Sequence, residues 1–273
     1  MTETEIAKIY EKIGQKHPII HCITNAVTVN DCANILLAAG ASPTMAHHPL
    51  EAAELTEGST SLVCNFGAID DYEAMVAAGK RAEDLGHAIV VDPVGVSGST
   101  YRRKRMHSFM EQVHPTCIRG NYSEIRALLD NRATVTGVDA SKDDQDVLHQ
   151  AALQVAMKQY AEEKQLIMVA SGKTDMITDG KTMYLCENGD PLMARITGSG
   201  CMSSAMLGAF LGVEPSALGA AACCAFMGIA GELAAERTKI CGGGTMTFRD
   251  CLIDAVSLMS AEDFGRVDCR EFI

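Results

Sequence analysis

Along the first two thirds of the chain, short apolar runs alternate with longer segments of helical periodicity. Thr2 and Glu5 stand at capping-box spacing, and Ile6, Ile9, Tyr10 and Ile13 follow at helical intervals. Pro18–Ile23 predicts a strand, broken at Thr24-Asn25. Asn30-Asp31 predicts the cap of a helix through Ala39, closed by Gly40. Ser42–Ala46 predicts a second short strand, followed by a helix over Pro49–Leu55. The unit then repeats. Ser61–Phe66 is an apolar run, and Asp70-Asp71 caps a helix through Leu85. His87–Val91 ends at Asp92-Pro93, and a helix follows over Thr100–Val113. Thr116–Ile118 ends at Arg119-Gly120-Asn121, with a helix through Leu129. Asp143–Lys164 reads as a long helix and Leu166–Ala170 as a β-rich run. Strands alternating with helices predict a parallel sheet covered on both faces.

The rhythm then changes. Asp175–Thr178 and Thr182–Cys186 flank Asp179-Gly180, a hairpin pattern, and Asn188-Gly189 is a second turn. From Gly198 onward the chain reads as mostly helical. No linker, repeat or low-complexity tract interrupts it, so residues 1–273 are expected to form a single domain. The most unusual stretch is Ile196–Val213, which holds no charged residue and no proline. It opens with Thr197-Gly198-Ser199-Gly200 and continues into small and apolar residues, the order of a glycine loop feeding a buried helix. Unpaired N–H groups and the helix dipole at such a mouth attract anions. Cys201 falls in the first turn, where the positive end is expected to lower a thiol pKa. A tight loop before a core helix with an inert cysteine is the competing reading.

Open parallel sheets bind ligands beyond the carboxyl ends of their strands. Asn25, Met45 with His47, Gly67, Asp92, Arg119-Gly120-Asn121 and Ser171-Gly172 all fall at such ends. Asp92 is either a Mg²⁺ anchor or a turn-forming cap. Asn121-x-x-Glu124 is either a helix cap or, beside Asp92, part of a hydrated Mg²⁺ site, since Mg²⁺ keeps several waters and uses few carboxylates. Arg119 suits nucleotide phosphates or an ion pair. Ser171 offers a hydroxyl to a phosphate or makes a plain turn. Arg102-Arg103-Lys104-Arg105, the one basic run, is a solvated helix face or brings Arg102 to a phosphate. His47-His48 point in different directions and do not suit shared metal ligation.

Charge narrows the partners. The formal charge is -12, which argues against nucleic acid and anionic membranes. An anionic ligand therefore needs local donors and metal. Pro215–Gly231 is rich in Gly and Ala and reads as a buried helix, not a membrane span. The eleven cysteines are scattered, with no C-x-x-C pair, and the acidic N-terminus has no apolar signal core. A reducing cytoplasm is the expected location.

Cys22-Ile-Thr-Asn-Ala-Val-Thr-Val-Asn30, Ala38-Ala-Gly-Ala-Ser-Pro-Thr-Met-Ala46, Asp92-Pro-Val-Gly95, Ile118-Arg-Gly-Asn121 with Glu124, and Thr197-Gly-Ser-Gly-Cys201 resemble, in order, the motifs of hydroxyethylthiazole kinases. Gly137-Val138-Asp139 and Thr247-Phe248-Arg249 also fit. The resemblance implies a ribokinase-like fold, a three-layer α/β sandwich with a mostly parallel central sheet flanked by helices. It implies Mg²⁺-dependent transfer of the ATP γ-phosphoryl group to the hydroxyl of 4-methyl-5-(2-hydroxyethyl)thiazole, in thiamine biosynthesis or salvage. By matched position, Met45, Gly198 and Asn25 face the thiazole. Arg119, Ser171 and Asn121 face ATP, and Asp92 and Glu124 the metal. Cys201, where the wider superfamily carries a catalytic Asp, assists as a weak base or only orients the alcohol. Ser171 and Ser199 stand where the family often has Thr. A homotrimer with sites at subunit interfaces is the usual assembly. Three rivals are a kinase of this fold for another small heteroaromatic alcohol, a sensor that binds without releasing ADP, and a dehydratase repairing a damaged nicotinamide cofactor. The last needs an Asp where Cys201 stands.

Overall fold

A computed structural model describes residues 1–130 and 147–272. The expected start of a helix at Asp143 and the Gly137-Val138-Asp139 motif lie outside the described residues. The first helix, α1 (Glu3–Lys16), opens on the expected capping box. Thr2 accepts from the Glu5 N–H, and the Glu5 carboxylate accepts from the Thr2 N–H at 2.7 Å. Its apolar stripe, Ile6, Ile9 and Ile13, is buried.

The strands and helices then alternate as β1 (Ile19–Ile23), α2 (Val29–Ala38), β2 (Ser42–Thr44), α3 (Ala52–Glu57), β3 (Ser61–Asn65), α4 (Tyr72–Leu85), β4 (Ala88–Asp92), α5 (Thr100–Met110), β5 (Cys117–Asn121) and α6 (Tyr122–Asp130). They continue with α7 (Val147–Lys164), β6 (Ile167–Ser171), β7 (Asp175–Thr178), β8 (Met183–Cys186), α8 (Ser199–Val213), α9 (Ala217–Ile240), α10 (Thr245–Ser257) and β9 (Cys269–Glu271). One nine-stranded sheet runs β2-β1-β3-β4-β5-β6-β7-β8-β9. The pairs from β2 to β6 are parallel, and β7, β8 and β9 are antiparallel.

Four expectations shift. The cap of α2 is Thr28, not Asn30-Asp31, and Asp31 is buried in the first turn. β5 does not stop at Ile118 but runs through Arg119-Gly120-Asn121, because β6 pairs with it as far as Asn121↔Ser171. The helix expected from Pro49 begins at Ala52. β9 was not expected at all. It is three residues with no alternation to read, held to β8 with Cys269 opposite Cys186.

Strand residues alternate between two cores. Ile20, Cys22, Val63, Val90, Cys117 and Val169 face α1, α2, α8, α9 and α10. Leu62, Cys64, Ile89, Val91, Ile118 and Met168 face the helices from α3 to α7. The result is three layers, helices over sheet over helices. α9 is long and apolar enough to cross a membrane, yet most of its apolar length is buried inside the protein, as expected of a core helix.

Helix α8 lies directly on the sheet. A Cβ at Gly208 would come within 2.6 Å of Val63 and 2.9 Å of Ile20, so only glycine lets the helix approach β1 and β3 this closely. The Ser61 hydroxyl donates to the Gly208 carbonyl at 2.7 Å. This seating aims the N-terminus of α8 at the carboxyl ends of the parallel strands.

Candidate active site

The strand order places β1 between β2 and β3, so the connection from β1 to β2 runs one way and that from β2 to β3 runs back past β1. Open α/β sheets bind ligands where the order reverses, here between the ends of β1 and β3. Asn25 and Asn65 stand at those two ends, and Cys201 comes to them from α8. The Asn25 Nδ2 and the Asn65 Nδ2 donate to Cys201 Sγ at 3.3 and 3.2 Å. The same Asn65 amide donates to Asp92 Oδ2 at 3.1 Å, which also accepts from the Ser204 hydroxyl at 2.7 Å. Asn65 Oδ1 accepts from the Gly67 N–H at 2.8 Å. Cys201, Asp92, Asn25, Asn65 and Ser204 are therefore one hydrogen-bonded group.

The mouth of α8 departs from a simple glycine loop. Helix begins at Ser199, so Ser199 and Gly200 belong to its first turn and Gly198 is the cap. Gly198 has φ +93, a left-handed conformation that favours glycine. Arg119 reaches across from β5 and donates to the Gly200 carbonyl at 3.0 Å. Burial works against the Arg119 charge, and Asp92, Asp175 and Glu124 more than offset it.

Asn121 and Glu124 realise the cap expected of their spacing. The Glu124 N–H donates to Asn121 Oδ1 at 2.9 Å, and the Asn121 N–H donates to Glu124 Oε2 at 3.0 Å. Glu124 Oε1 accepts from the Gly95 N–H at 2.9 Å, which ties the loop after β4 to α6. Burial first, and the neighbouring Asp92 second, raise the Glu124 carboxyl to about 7. Asp92 is raised as well, chiefly by burial, with Arg119 and Ser204 pulling it back. Two buried carboxylates that disfavour each other's charge fit a divalent cation, which would relieve both. No cluster of three His, Cys, Asp or Glu side chains that could hold a metal ion stands among the described residues.

One expectation is reversed. The helix mouth was to lower the Cys201 thiol, but burial raises it, and Asp92 adds to the rise against hydrogen bonds from Thr28, Asn25 and Asn65. A thiol removed from water beside a carboxylate holds its proton. The basic run also differs from both readings. Arg102 donates to the carbonyls of Phe66 at 2.6 Å and Val94 at 3.2 Å, knitting the loops after β3 and β4, and Arg103 is buried. His47 and His48 are both exposed.

The remaining expected residues are distributed around this centre. Ser171 ends β6 beside Asn121, with its hydroxyl 3.3 Å from the Gly120 carbonyl. Met45 follows β2 and packs, half-buried, against the core that contains α8. Three contributors went unseen in the sequence: Asn65, Ser204 and Asp175. Asn65 was legible as a polar residue ending a fully buried strand, and Ser204 as the hydroxyl three residues after Cys201. Asp175 accepts from the Gly172 N–H at 2.9 Å and faces Arg119, with burial raising it to about 6. Asp31 is a further one. It is buried and forms an ion pair with the half-buried Arg249 of α10 beneath Gly198.

The chain is similar to known proteins in sequence and in fold. Residues 10–262 match the profile described as the hydroxyethylthiazole kinase family. A hydroxyethylthiazole kinase of Clostridium beijerinckii is 40% identical over 261 residues, 94% of this chain and 93% of the relative. The solved hydroxyethylthiazole kinase protein of Pyrococcus horikoshii superposes with a TM-score of 0.87 at 30% identity, covering 99% of this chain and 100% of that one. A ribokinase-like superfamily protein from Enterococcus faecalis shares the fold at 9% identity, with a TM-score of 0.59 over 94% of this chain and 88% of its own. The architecture is ribokinase-like.

Proposed function

The chain belongs to the hydroxyethylthiazole kinase family, and from that premise we propose how its one kinase domain works. The protein phosphorylates the hydroxyl of hydroxyethylthiazole for thiamine biosynthesis. ATP is the phosphoryl donor and Mg²⁺ the metal. The observation that carries the reading is the joining of Asn25, Asn65, Asp92 and Cys201 into one group at the mouth of α8, with Arg119 beside it.

Phosphoryl transfer asks a protein mainly for positioning and charge stabilisation. Asp92 and Glu124 would hold Mg²⁺, and the ion would neutralise phosphate charge when bound. The N–H groups at Gly198–Cys201 and the Arg119 guanidinium receive the phosphates. Ser171 and Asn121, side by side at the ends of β6 and β5, line the nucleotide side. The thiazole lies against Met45, with Asn25 and Gly198 completing its pocket. Cys201 keeps its proton near neutral pH and orients the alcohol oxygen. As the new P–O bond forms, the bond from the γ-phosphorus to the ADP oxygen breaks and the alcohol proton passes to an oxygen of the transferred phosphoryl group, so most of the rate comes from alignment.

Two further features belong to this reading. Val27 and Leu50, in the loops after β1 and β2, are 74% and 89% exposed. A homotrimer is the assembly that the resemblance implies, and a neighbouring subunit at these loops would cover both side chains. All eleven cysteines are free thiols, which supports work in a reducing cytoplasm. The test is ADP release by the purified protein with Mg·ATP across a panel of small heteroaromatic alcohols. Hydroxyethylthiazole is expected to give the highest kcat/KM. Faster turnover of another alcohol in the panel would move the substrate assignment to it, and binding without ADP release would defeat the kinase reading.

A further inference from the structure

His21 is fully buried, on the face of β1 opposite Ile20 and Cys22. Its ring joins three elements. Nδ1 lies 2.8 Å from the Thr56 hydroxyl on α3, and Nε2 lies 2.8 Å from the Ala46 carbonyl. A carbonyl only accepts, so Nε2 carries the proton and donates. The Thr56 hydroxyl carries a single proton and has two acceptors at 2.8 Å, the Ala52 carbonyl and Nδ1, between which that proton is shared. Burial lowers the imidazole pKa, opposed by the Ala46 carbonyl and by the charge of Glu51. The neutral ring is thus a strut with one donor end and one acceptor end.

The donor end meets the chain where the sheet lets go. Pairing of β2 with β1 stops at Thr44, which stands opposite His21 itself. Beyond Thr44 the backbone carries Met45 and Ala46 past the edge of the ladder. The bond from His21 continues there what strand pairing no longer does. The two restraints act from opposite sides of the sheet. His21 holds the Ala46 carbonyl from the side of α3, while the Met45 side chain packs toward the core that contains α8.

We propose that His21 is a positioning residue for the acceptor alcohol: by gripping Ala46 it fixes Met45 as one wall of the pocket for the heteroaromatic ring. The proposal rests on the reading of Met45 given above. His21 does not touch the substrate and takes no part in the phosphate half of the site.

The histidine variants separate this role from a general structural one. Leucine at the position (H21L) removes both ring nitrogens. H21Q returns a donor near the place of Nε2, and H21N returns one near Nδ1 only. Loss of one net hydrogen bond changes an equilibrium by roughly tenfold. H21L is therefore expected to raise the KM for the alcohol about tenfold, with kcat and the KM for ATP within about twofold of wild type. H21Q should recover most of the loss and H21N little of it. Amide hydrogen exchange at residues 45–51 should speed up in H21L and return toward wild type in H21Q, whatever the activity. Should H21L not fold, T56V leaves the ring in place and removes its partner, and about a threefold rise in the alcohol KM is expected. An unchanged alcohol KM and unchanged exchange in H21L overturn the proposal, as do equal losses in the KM for ATP. M45A marks the difference from the underlying reading. If M45A raises the alcohol KM while H21L does not, the His21 proposal alone falls. If M45A leaves it unchanged, the Met45 reading falls and takes the proposal with it.

Discussion

Gly198 is the position where a single methyl group should do most harm. Its φ of +93 is left-handed, and an added Cβ would lie 2.9 Å from Thr28 Cγ2 and 3.4 Å from Thr28 Cβ. A left-handed non-glycine residue costs about 1–2 kcal/mol. Overpacking a tight contact costs about 1–3 kcal/mol more. Thr28 is buried at the start of α2, so its side chain has little room to swing aside. The cheaper relief is movement of the mouth of α8, which carries the N–H groups and Cys201. A displacement of about 1 Å in a positioning element costs about a hundredfold in rate. G198A is therefore expected to lose about a hundredfold in kcat/KM, read by coupled ADP release, with a lowered thermal midpoint. T28S deletes the Cγ2 that the new methyl meets. In the G198A/T28S double variant the backbone cost persists but the collision does not, and about tenfold of the activity should return. G198A within threefold of wild type, or no recovery in the double variant, would refute the claim that the loop is held in place by this contact.

Three further outcomes follow from the same geometry. C201A should slow single-turnover phosphoryl transfer by less than about a hundredfold, because a thiol that keeps its proton orients and does not act as a base; a loss in the thousands would restore the base. Glu124 titrates near 7 in the folded protein against 4.5 unfolded, so its contribution is present below pH 4.5 and is lost as pH rises through 7. In metal-free buffer, the thermal midpoint of E124Q relative to wild type should therefore climb across that window, and added Mg²⁺ should flatten the difference. Parallel pH profiles for the two proteins would contradict this. D31N leaves Arg249 facing a neutral amide beneath Gly198. Denaturant unfolding should show a loss of about 1–2 kcal/mol, because Arg249 keeps access to water, and no measurable change would mean the pair is solvated in practice.

Much was readable from the order of residues. The capping box at Thr2 and Glu5, the alternation of apolar runs with helical stretches and the turn at Asp179-Gly180 are local patterns. Each depends on neighbours within one or two turns, and each appears in the structure. Because side chains in a strand alternate faces, two cores were already implied by continuous apolar strands. Strand ends carrying Asn25, Asp92 and Ser171 were likewise visible, since a polar residue closing a buried run marks the end of a strand. The extent of β5 was not visible, because Arg119-Gly120-Asn121 look like a turn until β6 pairs with them. Nor was the proton on Cys201. Position in a first helical turn predicts a lowered thiol, and only the fold brings Asp92 near and removes the water. Asn65 joins Asp92 to Cys201 across 136 residues of chain, His21 reaches Ala46 on another strand's exit, and Asp31 meets Arg249 from 218 residues away. Local propensity is written in short-range spacing. Which distant polar groups share a desolvated space is decided by sheet order and by how closely α8 lies on β1 and β3.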